Sequence, residues 1–483
     1  MHNSKLITFF KTFTKEEFKA FLPFVQSPYF NSNKKVIELY RHIRTAAPRF
    51  TTKRLGRKQT FEYLYPNQTF KDIKLQQLMS ELVKVIEKFW KQREYDQKIF
   101  SKDLALIKNY RKRNLYMYWE KDMAKIQADL TKETNGLEAA DIHLYQLYVA
   151  LEQHQSIEAA EQRNREPNLQ EVSDMLDCYY IVNKLKYYCK ALNYQRFQTT
   201  SYDWAMIQTV LAEAERKKWL KIPAIAIYYH GVQTLLEHES AAEHFKKLKK
   251  LLQEYANYFV RHEIQNIFVL ARNFCIRQMR QGKSHYMTEA FELYKIEIKE
   301  GLIIENGKFF LSTYKNVTTL ALLLKNFEWL EQFLYEYRWA IVPKMFKYTL
   351  SQLKFQQQKY EEVVELLQEA EDEEVLFMLS TKILLIKAYV ELSLEITDDF
   401  TYEDKLENCL TSFMVLLNRK KEMLTKHYIY YLNTVKILRE ILRETIYCAE
   451  KNPETLLLLA ERLKTSKLIT EDAWLSGLLK RLM

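Results

Sequence analysis

The clearest pattern of hydrophobic and polar positions lies in residues 317–370, where one arrangement occurs twice. The first copy has an apolar stretch over 317–324, a polar break, and a second apolar stretch that begins at Phe327. The second copy has an apolar stretch over 350–355, a polar break, and a second stretch that begins at Tyr360. Phe327 and Tyr360 are 33 residues apart, which is close to the period of a helix–turn–helix repeat. The pattern therefore predicts two consecutive helix pairs.

Similar breaks divide the rest of the chain into apolar-periodic segments of about 15 to 25 residues, the size of single helices joined by short turns. Helix pairs of this size cannot bury their apolar faces alone, so they must stack on one another. From residue 138 to the end we expect roughly eight or nine pairs, at a repeat length of about 33 to 47 residues. The predicted architecture is an α-solenoid of stacked helix pairs.

The first hundred residues predict a separate small helical domain. Thr14 and Glu17 have the spacing of a capping box at the start of a helix. The most regular amphipathic stripe in the chain repeats at three and four residues and consists of Leu75, Leu78, Met79, Leu82, Val85, Ile86 and Phe89. We therefore expect a basic helical domain at 1–100, connecting helices at 101–137, and the helical-repeat array at 138–483.

The composition favours an all-α fold. The chain has 7 glycines and 8 prolines in 483 residues, too few for the many tight turns of a sheet protein. The most apolar window, 376–394, is interrupted by Lys382, Lys387 and Glu391, and no run reaches the roughly 18 apolar residues of a membrane helix. The first residues carry charge where a secretory signal would be apolar. We expect a cytoplasmic protein that does not contact a membrane.

Residues 317–370 resemble tetratricopeptide repeats. Ser351, Tyr360 and Ala370 occupy positions of that repeat's signature, whereas Lys354 and Val363 depart from it. The resemblance implies a right-handed stack of helix pairs that presents a groove to a protein or peptide. The N-terminal part, with the segments 27–31 and 78–82, resembles an uncharacterised family of bacterial helical proteins, and that resemblance implies no site residues.

The net charge of +11 is concentrated at one end of the chain. Residues 1–100 hold 20 Lys and Arg against 9 Asp and Glu, and the other 383 residues hold 53 of each sign. A basic loop and helix start provide a candidate contact surface: Arg49, Lys53, Arg54, Arg57 and Lys58.

Two interpretations of this basic surface stay open. With Phe50 and Phe61 nearby it could follow nucleic-acid phosphates, and the predicted helix 59–65, a turn, and the helix from Phe70 loosely resemble a helix-turn-helix. The alternative is a solvated surface, or one that docks on an acidic patch. A further basic run, 111–113, is expected to face solvent near a helix end.

An acidic run between 361 and 374 contains eight acids and no base. The candidate acidic contact surface is Glu361, Glu362, Glu365, Glu369 and Glu373. The simplest interpretation is a solvated helix face. A sharper hypothesis is that this run attracts the basic domain, in the same chain or in another copy.

The sequence shows no convincing catalytic or cofactor site. Phosphate loops need clustered glycines, and the seven glycines are dispersed. The pair His238-Glu239 with Glu243-His244 is the nearest approach to metal-ligand spacing, but the two histidines face different sides of a helix. The five cysteines are scattered without Cys-x-x-Cys spacing and are expected to be buried small hydrophobes: Cys178, Cys189, Cys275, Cys409 and Cys448.

These observations favour a non-enzymatic scaffold or adaptor that binds a protein or peptide and needs no cofactor or metal. The second hypothesis is a nucleic-acid-associated regulator that contacts DNA or RNA through the basic domain. An enzyme comes third. Neither the partner nor the oligomeric state follows from the sequence.

Overall fold

The computed structural model describes the chain except for 2, 52–53, 132–136, 160–166, 196–200, 217–218, 237–238, 369–373, 397–400, 448–452 and 466–467. It confirms an all-α protein that is 80% helical, with 24 α-helices in the described residues. The chain divides into two compact units, Met1–Lys184 and Leu185–Met483. The predicted boundaries after residues 100 and 137 stay predictions.

The first unit contains eight helices and most of a ninth, which continues past the division. These are α1 Lys5–Lys11, α2 Lys15–Gln26, α3 Lys34–Thr45, α4 Arg57–Leu64, α5 Asp72–Gln97, α6 Ile99–Lys112, α7 Tyr116–Thr131, α8 Ala139–Ala159 and α9 Leu169–Tyr194.

The predicted helix signals at the start of the chain are confirmed. The Thr14 hydroxyl accepts a hydrogen bond from the Glu17 amide at 3.1 Å, and the Glu17 carboxylate accepts one from the Thr14 amide at 2.9 Å. All seven residues of the stripe on α5 are buried, in a core with aromatic residues of α1, α2 and α3. A second core joins α6, α7 and α8 through residues that include Ile107, Trp119 and Tyr145. α6 and α7 therefore bury apolar side chains together with α8.

The second unit contains the remaining helices, three short 3-10 turns and one small hairpin. The helices are α10 Ile207–Arg216, α11 Pro223–Leu235, α12 Ala241–Tyr255, α13 Arg261–Arg280, α14 Tyr286–Lys299, α15 Leu311–Leu323, α16 Phe327–Glu336, α17 Pro343–Gln356, α18 Tyr360–Leu367, α19 Val375–Glu395, α20 Thr401–Arg419, α21 Lys421–Leu424, α22 Lys426–Arg443, α23 Pro453–Thr465 and α24 Asp472–Leu482. The 3-10 turns are Trp219–Lys221, Ala256–Tyr258 and Arg338–Ala340. Strands β1 Ile304–Glu305 and β2 Lys308–Phe309 pair antiparallel.

Consecutive helices of the second unit pack against each other in sequence order: α11 with α12, α13 with α14, α15 with α16, α17 with α18, and α19 with α20. The two residues that mark the sequence repeat, Phe327 and Tyr360, are the first residues of α16 and α18. The chain is thus a large helical protein with many consecutive packed helix pairs.

The turns inside the two repeated pairs have the same geometry. Lys325 and Gln358 both adopt positive φ, at 57° and 62°. In each case the following amide bonds a carbonyl five residues back, Asn326 to Ala321 and Lys359 to Lys354, both at 2.9 Å. This is the Schellman helix end, which usually uses glycine because positive φ strains other residues. Long polar side chains take that position here, which is one reason why so many helix ends coexist with so few glycines.

Candidate functional site

The four described cysteines are buried and have no feature of a catalytic nucleophile. Burial raises the pKa of the Cys178 and Cys275 thiols to about 12 and that of Cys409 to about 11. The pKa of Cys189 is raised by burial as well. A nucleophilic cysteine needs an accessible thiolate, so these thiols act as small hydrophobic side chains, as the sequence predicts. Cys448 lies outside the described residues.

One cysteine does contact a histidine. The Cys178 Sγ lies 3.4 Å from His143 Nδ1, and Gln146 Oε1 lies 2.9 Å from the same nitrogen. Both Cys178 and His143 are buried, and burial lowers the pKa of His143. The pair therefore stays neutral and closed to solvent, unlike the charged Cys–His pair of a thiol enzyme.

A histidine pair that the sequence did not suggest joins α11 and α12. His230 Nδ1 and His244 Nδ1 are 2.9 Å apart, and His230 is buried. Burial, His244 and the nearby Lys247 lower the pKa of His230 to about 4, against the opposite effect of Glu243. His238, the other histidine of the predicted spacing, lies outside the described residues. Within the residues that the structure describes, no three potential ligands cluster in a way that could hold a metal ion.

Two tyrosine hydroxyls in the second unit bond to acidic side chains, of which Glu263 is buried. The Tyr228 hydroxyl donates to Glu263 Oε1 at 2.5 Å, and the Lys186 ammonium lies 3.0 Å from the same oxygen. The next hydroxyl, on Tyr229, donates to Glu215. Lys186 and Glu263 are 4% and 2% exposed, so this buried triad fastens α9, α11 and α13 together.

The predicted basic surface lies in the first unit, and its four described members are exposed: Arg49, Arg54, Arg57 and Lys58. Lys53 lies outside the described residues. The Arg54 guanidinium donates to the Thr45 carbonyl at 3.0 Å, which folds the loop back on the end of α3. Arg57 is engaged in an ion pair with Asp72 at 2.7 Å. The loop therefore presents Arg49, Arg54 and Lys58 more freely than Arg57.

Two aromatic residues expected beside this surface are not available to a ligand. Phe50 is 2% exposed and Phe61 is fully buried, because both fill the core of α1 to α5. Both rings are therefore part of the core and not of the exposed basic surface. The exposed ring in this region belongs to Tyr63, which is 56% exposed and stacks on His42 with centroids 4.6 Å apart.

The basic run 111–113 also differs from expectation at one position. Arg111 forms a two-point ion pair with Glu152, with Nε–Oε1 at 2.5 Å and Nη2–Oε2 at 3.2 Å. Its side chain is only 14% exposed. The run does end α6, but Arg111 links α6 to α8 instead of facing solvent.

The acidic surface is partly neutralised by its own unit. Glu361, Glu362 and Glu365 lie on α18, whereas Glu369 and Glu373 lie outside the described residues. Glu362 pairs with Lys354 at 3.2 Å and with Lys359 at 3.3 Å. The Tyr402 hydroxyl donates to Glu361 at 3.3 Å. Two of the three described acids of this face are thus engaged by side chains of the second unit.

Lys354, which departs from the repeat signature, has a clear structural role. Its ammonium lies 3.2 Å from Glu331 on α16 and 3.2 Å from Glu362 on α18. An aromatic residue at this position would pack by shape, whereas Lys354 joins two consecutive helix pairs by charge.

A groove of about 220 Å³ opens between α14 and α16. It is lined by Lys295, Ile298, Lys299, Trp329, Gln332, Phe333, Glu336 and Tyr337. Trp329 stacks on Phe333 with centroids 5.1 Å apart and an angle of 9°. The Lys295 ammonium lies 6.0 Å from the Trp329 ring, and Lys299 is exposed at the same side. The groove is smaller than typical small-molecule pockets, which span about 300–1,000 Å³.

Two further exposed aromatic side chains lie in or just after α16, close in sequence to the groove residues. Trp339 and Tyr335 are 66% and 54% exposed. Tyr335 packs edge-on against Phe346, with centroids 5.7 Å apart. Arg338, between them in sequence, lies over the same Phe346 ring at 4.4 Å. Trp, Tyr and Arg are the side chains that most often dominate protein–protein binding energy. Although the sequence shows these aromatics, it does not show which of them stay exposed.

Among the described residues, no helix is both long enough and apolar enough to cross a membrane. No protein-family model, no curated protein and no solved structure matches this chain.

Proposed function

We propose that this chain is a non-enzymatic helical scaffold that binds a protein partner through the groove between α14 and α16. The consecutive helix pairs of the second unit would stack as a tetratricopeptide-like solenoid, with the groove formed by the second helices of two successive pairs. The observation that carries the proposal is the half-buried Trp329 ring between Phe333 and the lysines. This arrangement offers an apolar ring face next to positive charge.

The size and chemistry of the groove define the kind of partner. At about 220 Å³ it accommodates one or two side chains of a peptide better than a metabolite. The stacked rings of Trp329 and Phe333 favour an apolar side chain, and Lys299 favours a neighbouring carboxylate. We therefore expect an acidic peptide segment that contains an aromatic or large aliphatic residue.

Two further observations support a binding protein over an enzyme. The described thiols are buried with raised pKa values, and burial lowers the pKa of His143 and of His230. The charged pairs of the second unit, such as Lys186–Glu263 and Arg272–Glu297, are fixed by burial between helices. Such groups stabilise a rigid surface, which is what a scaffold requires.

Selection of a displayed random-peptide library on the full-length chain tests this proposal. We expect enrichment of peptides with an acid beside an apolar residue. Lys299→Glu should weaken the best peptide at least tenfold, since it replaces an attraction with a repulsion. Lys246→Glu, the same charge reversal at an exposed position of α12, is the matched control. Equal binding by wild type and Lys299→Glu, or an enriched set without acids, would contradict the proposal.

A further inference from the structure

The acids of the first hundred residues are largely tied to a subset of the cations. Ion pairs join Lys5–Glu87, Lys35–Glu38, Arg57–Asp72, Arg93–Glu17 and Lys98–Glu94. No described residue forms an ion pair with any of four exposed arginines: Arg41, Arg44, Arg49 and Arg54. These four arginines can therefore contribute positive charge to the binding of an external anion.

Local packing brings these four arginines to one end of α3. Arg41 and Arg44 are three residues apart on the exposed face of that helix. The loop that carries Arg49 and Arg54 is fixed by the buried Phe50, whose amide bonds the Ala46 carbonyl at 2.8 Å. The Arg54 guanidinium reaches the Thr45 carbonyl at 3.0 Å.

His42 fastens an exposed ring to the same end of α3. Its Nε2 lies 3.3 Å from the Thr60 hydroxyl of α4. The Tyr63 ring stacks on His42 and remains 56% exposed. An exposed ring beside several unpaired arginines combines the two features that bind single-stranded nucleic acid, phosphate contacts and a stacking platform.

We infer that the arginine surface, defined as Arg41, Arg44, Arg49, Arg54 and Tyr63, binds single-stranded nucleic acid. The arginines contact successive phosphates, and the open face of Tyr63 stacks on a base. This assignment concerns the first unit and is independent of the groove between α14 and α16.

The start of α5 does not favour binding of a DNA duplex in the manner of a helix-turn-helix protein. A helix-turn-helix protein places the N-terminal turn of its second helix against base edges and near phosphates. In this chain that turn contains Asp72, whose carboxylate is held in place by Arg57 at 2.7 Å. Because the Arg57–Asp72 pair is net neutral, this turn offers no free arginine to the duplex backbone, whereas the arginine surface lies at the end of α3.

Fluorescence anisotropy of the full-length chain with labelled oligo(dT), oligo(U) and a duplex of equal length tests the assignment. Four phosphate contacts predict a slope of log affinity against log salt of about −3 on the single strands. Arg44→Gln with Arg49→Gln should reduce that slope to about −1.4. The control, Lys84→Gln with Lys91→Gln, removes the same charge from exposed positions of α5 and should leave the slope nearly unchanged.

The stacking component has its own variants. Tyr63→Leu should weaken binding about tenfold, and Tyr63→Phe should retain it because the ring persists. Lys299→Glu, designed for the peptide groove, should bind the oligonucleotides like wild type. Four results would overturn the inference: no binding at low salt, tighter binding to the duplex, an unchanged slope in the double arginine variant, or preference for anionic phospholipid vesicles.

Discussion

The buried triad of Lys186, Glu263 and Tyr228 makes a sharp prediction about stability. Lys186→Met keeps most of the side-chain volume but removes the ammonium that lies 3.0 Å from Glu263 Oε1. Glu263 is 2% exposed, so water cannot solvate its carboxylate once the ammonium is removed. Removing one partner of a buried ion pair costs about 3–5 kcal/mol, because the remaining charge loses its counter-charge in a site that water does not reach. We expect Lys186→Met to lower the free energy of unfolding of the second unit by that amount.

A second substitution separates charge from packing. Adding Glu263→Gln to Lys186→Met removes the buried charge, while the amide oxygen can still accept the Tyr228 hydroxyl. The double variant should therefore recover part of the loss and remain about 1–2 kcal/mol below wild type, the order of one imperfect buried hydrogen bond. The surface pair Lys247–Glu243 is the control, since its side chains are 52% and 66% exposed. Lys247→Met should cost less than about 0.5 kcal/mol.

Urea denaturation followed by circular dichroism gives the free energies of unfolding. Hydrogen exchange of peptides from α9, α11 and α13 identifies the transition that contains the triad, because two units can unfold separately. The reasoning is refuted if Lys186→Met costs less than about 1 kcal/mol, or if the double variant is no more stable than the single one.

The histidine pair predicts that the free energy of unfolding depends on pH. The pKa of His230 is lowered to about 4 by burial, His244 and Lys247. The His230 imidazole therefore binds a proton more readily in the unfolded chain than in the folded one. Stability should fall as the pH drops below about 6.5, by about 2 kcal/mol at pH 5, and the urea midpoint of His230→Gln should show less of this loss. The second prediction concerns Gly231 in α11, where an added Cβ would lie 3.3 Å from the Cys189 Sγ. Gly231→Ala should gain helix propensity but crowd that sulfur, so it should be more favourable by about 1 kcal/mol in a Cys189→Ala background than in wild type. A thermal-melt cycle of the four variants measures this difference, and additive effects would contradict it.

The sequence by itself determined the class of fold. The low glycine content is a property of the composition. Helical periodicity and capping signals involve residues only a few positions apart, so they can be recognised in the sequence without the fold. The capping box of Thr14 and Glu17 and the buried stripe on α5 are examples. The spacing of Phe327 and Tyr360 correctly gave the starts of α16 and α18. Each of these features is decided by short-range backbone geometry.

The candidate surfaces were only partly predictable, because exposure depends on which helix faces meet. Phe50 and Phe61 lie near the basic residues in the sequence but fill the core, whereas Tyr63, two residues after Phe61, stays exposed. Arg111 looks like part of a solvated basic run, yet it is paired with Glu152 on another helix. Nothing in the local sequence distinguishes these outcomes.

Only the tertiary structure decided the long-range polar contacts and the groove. Lys186 meets Glu263, His230 meets His244, and Lys354 bridges two helix pairs. These partners lie on different helices, so their meeting depends on the rotation and register of packed pairs, which hydrophobic periodicity leaves open. The sequence determined where the helices lie along the chain, and packing determined which of their polar and aromatic side chains remain available to a partner.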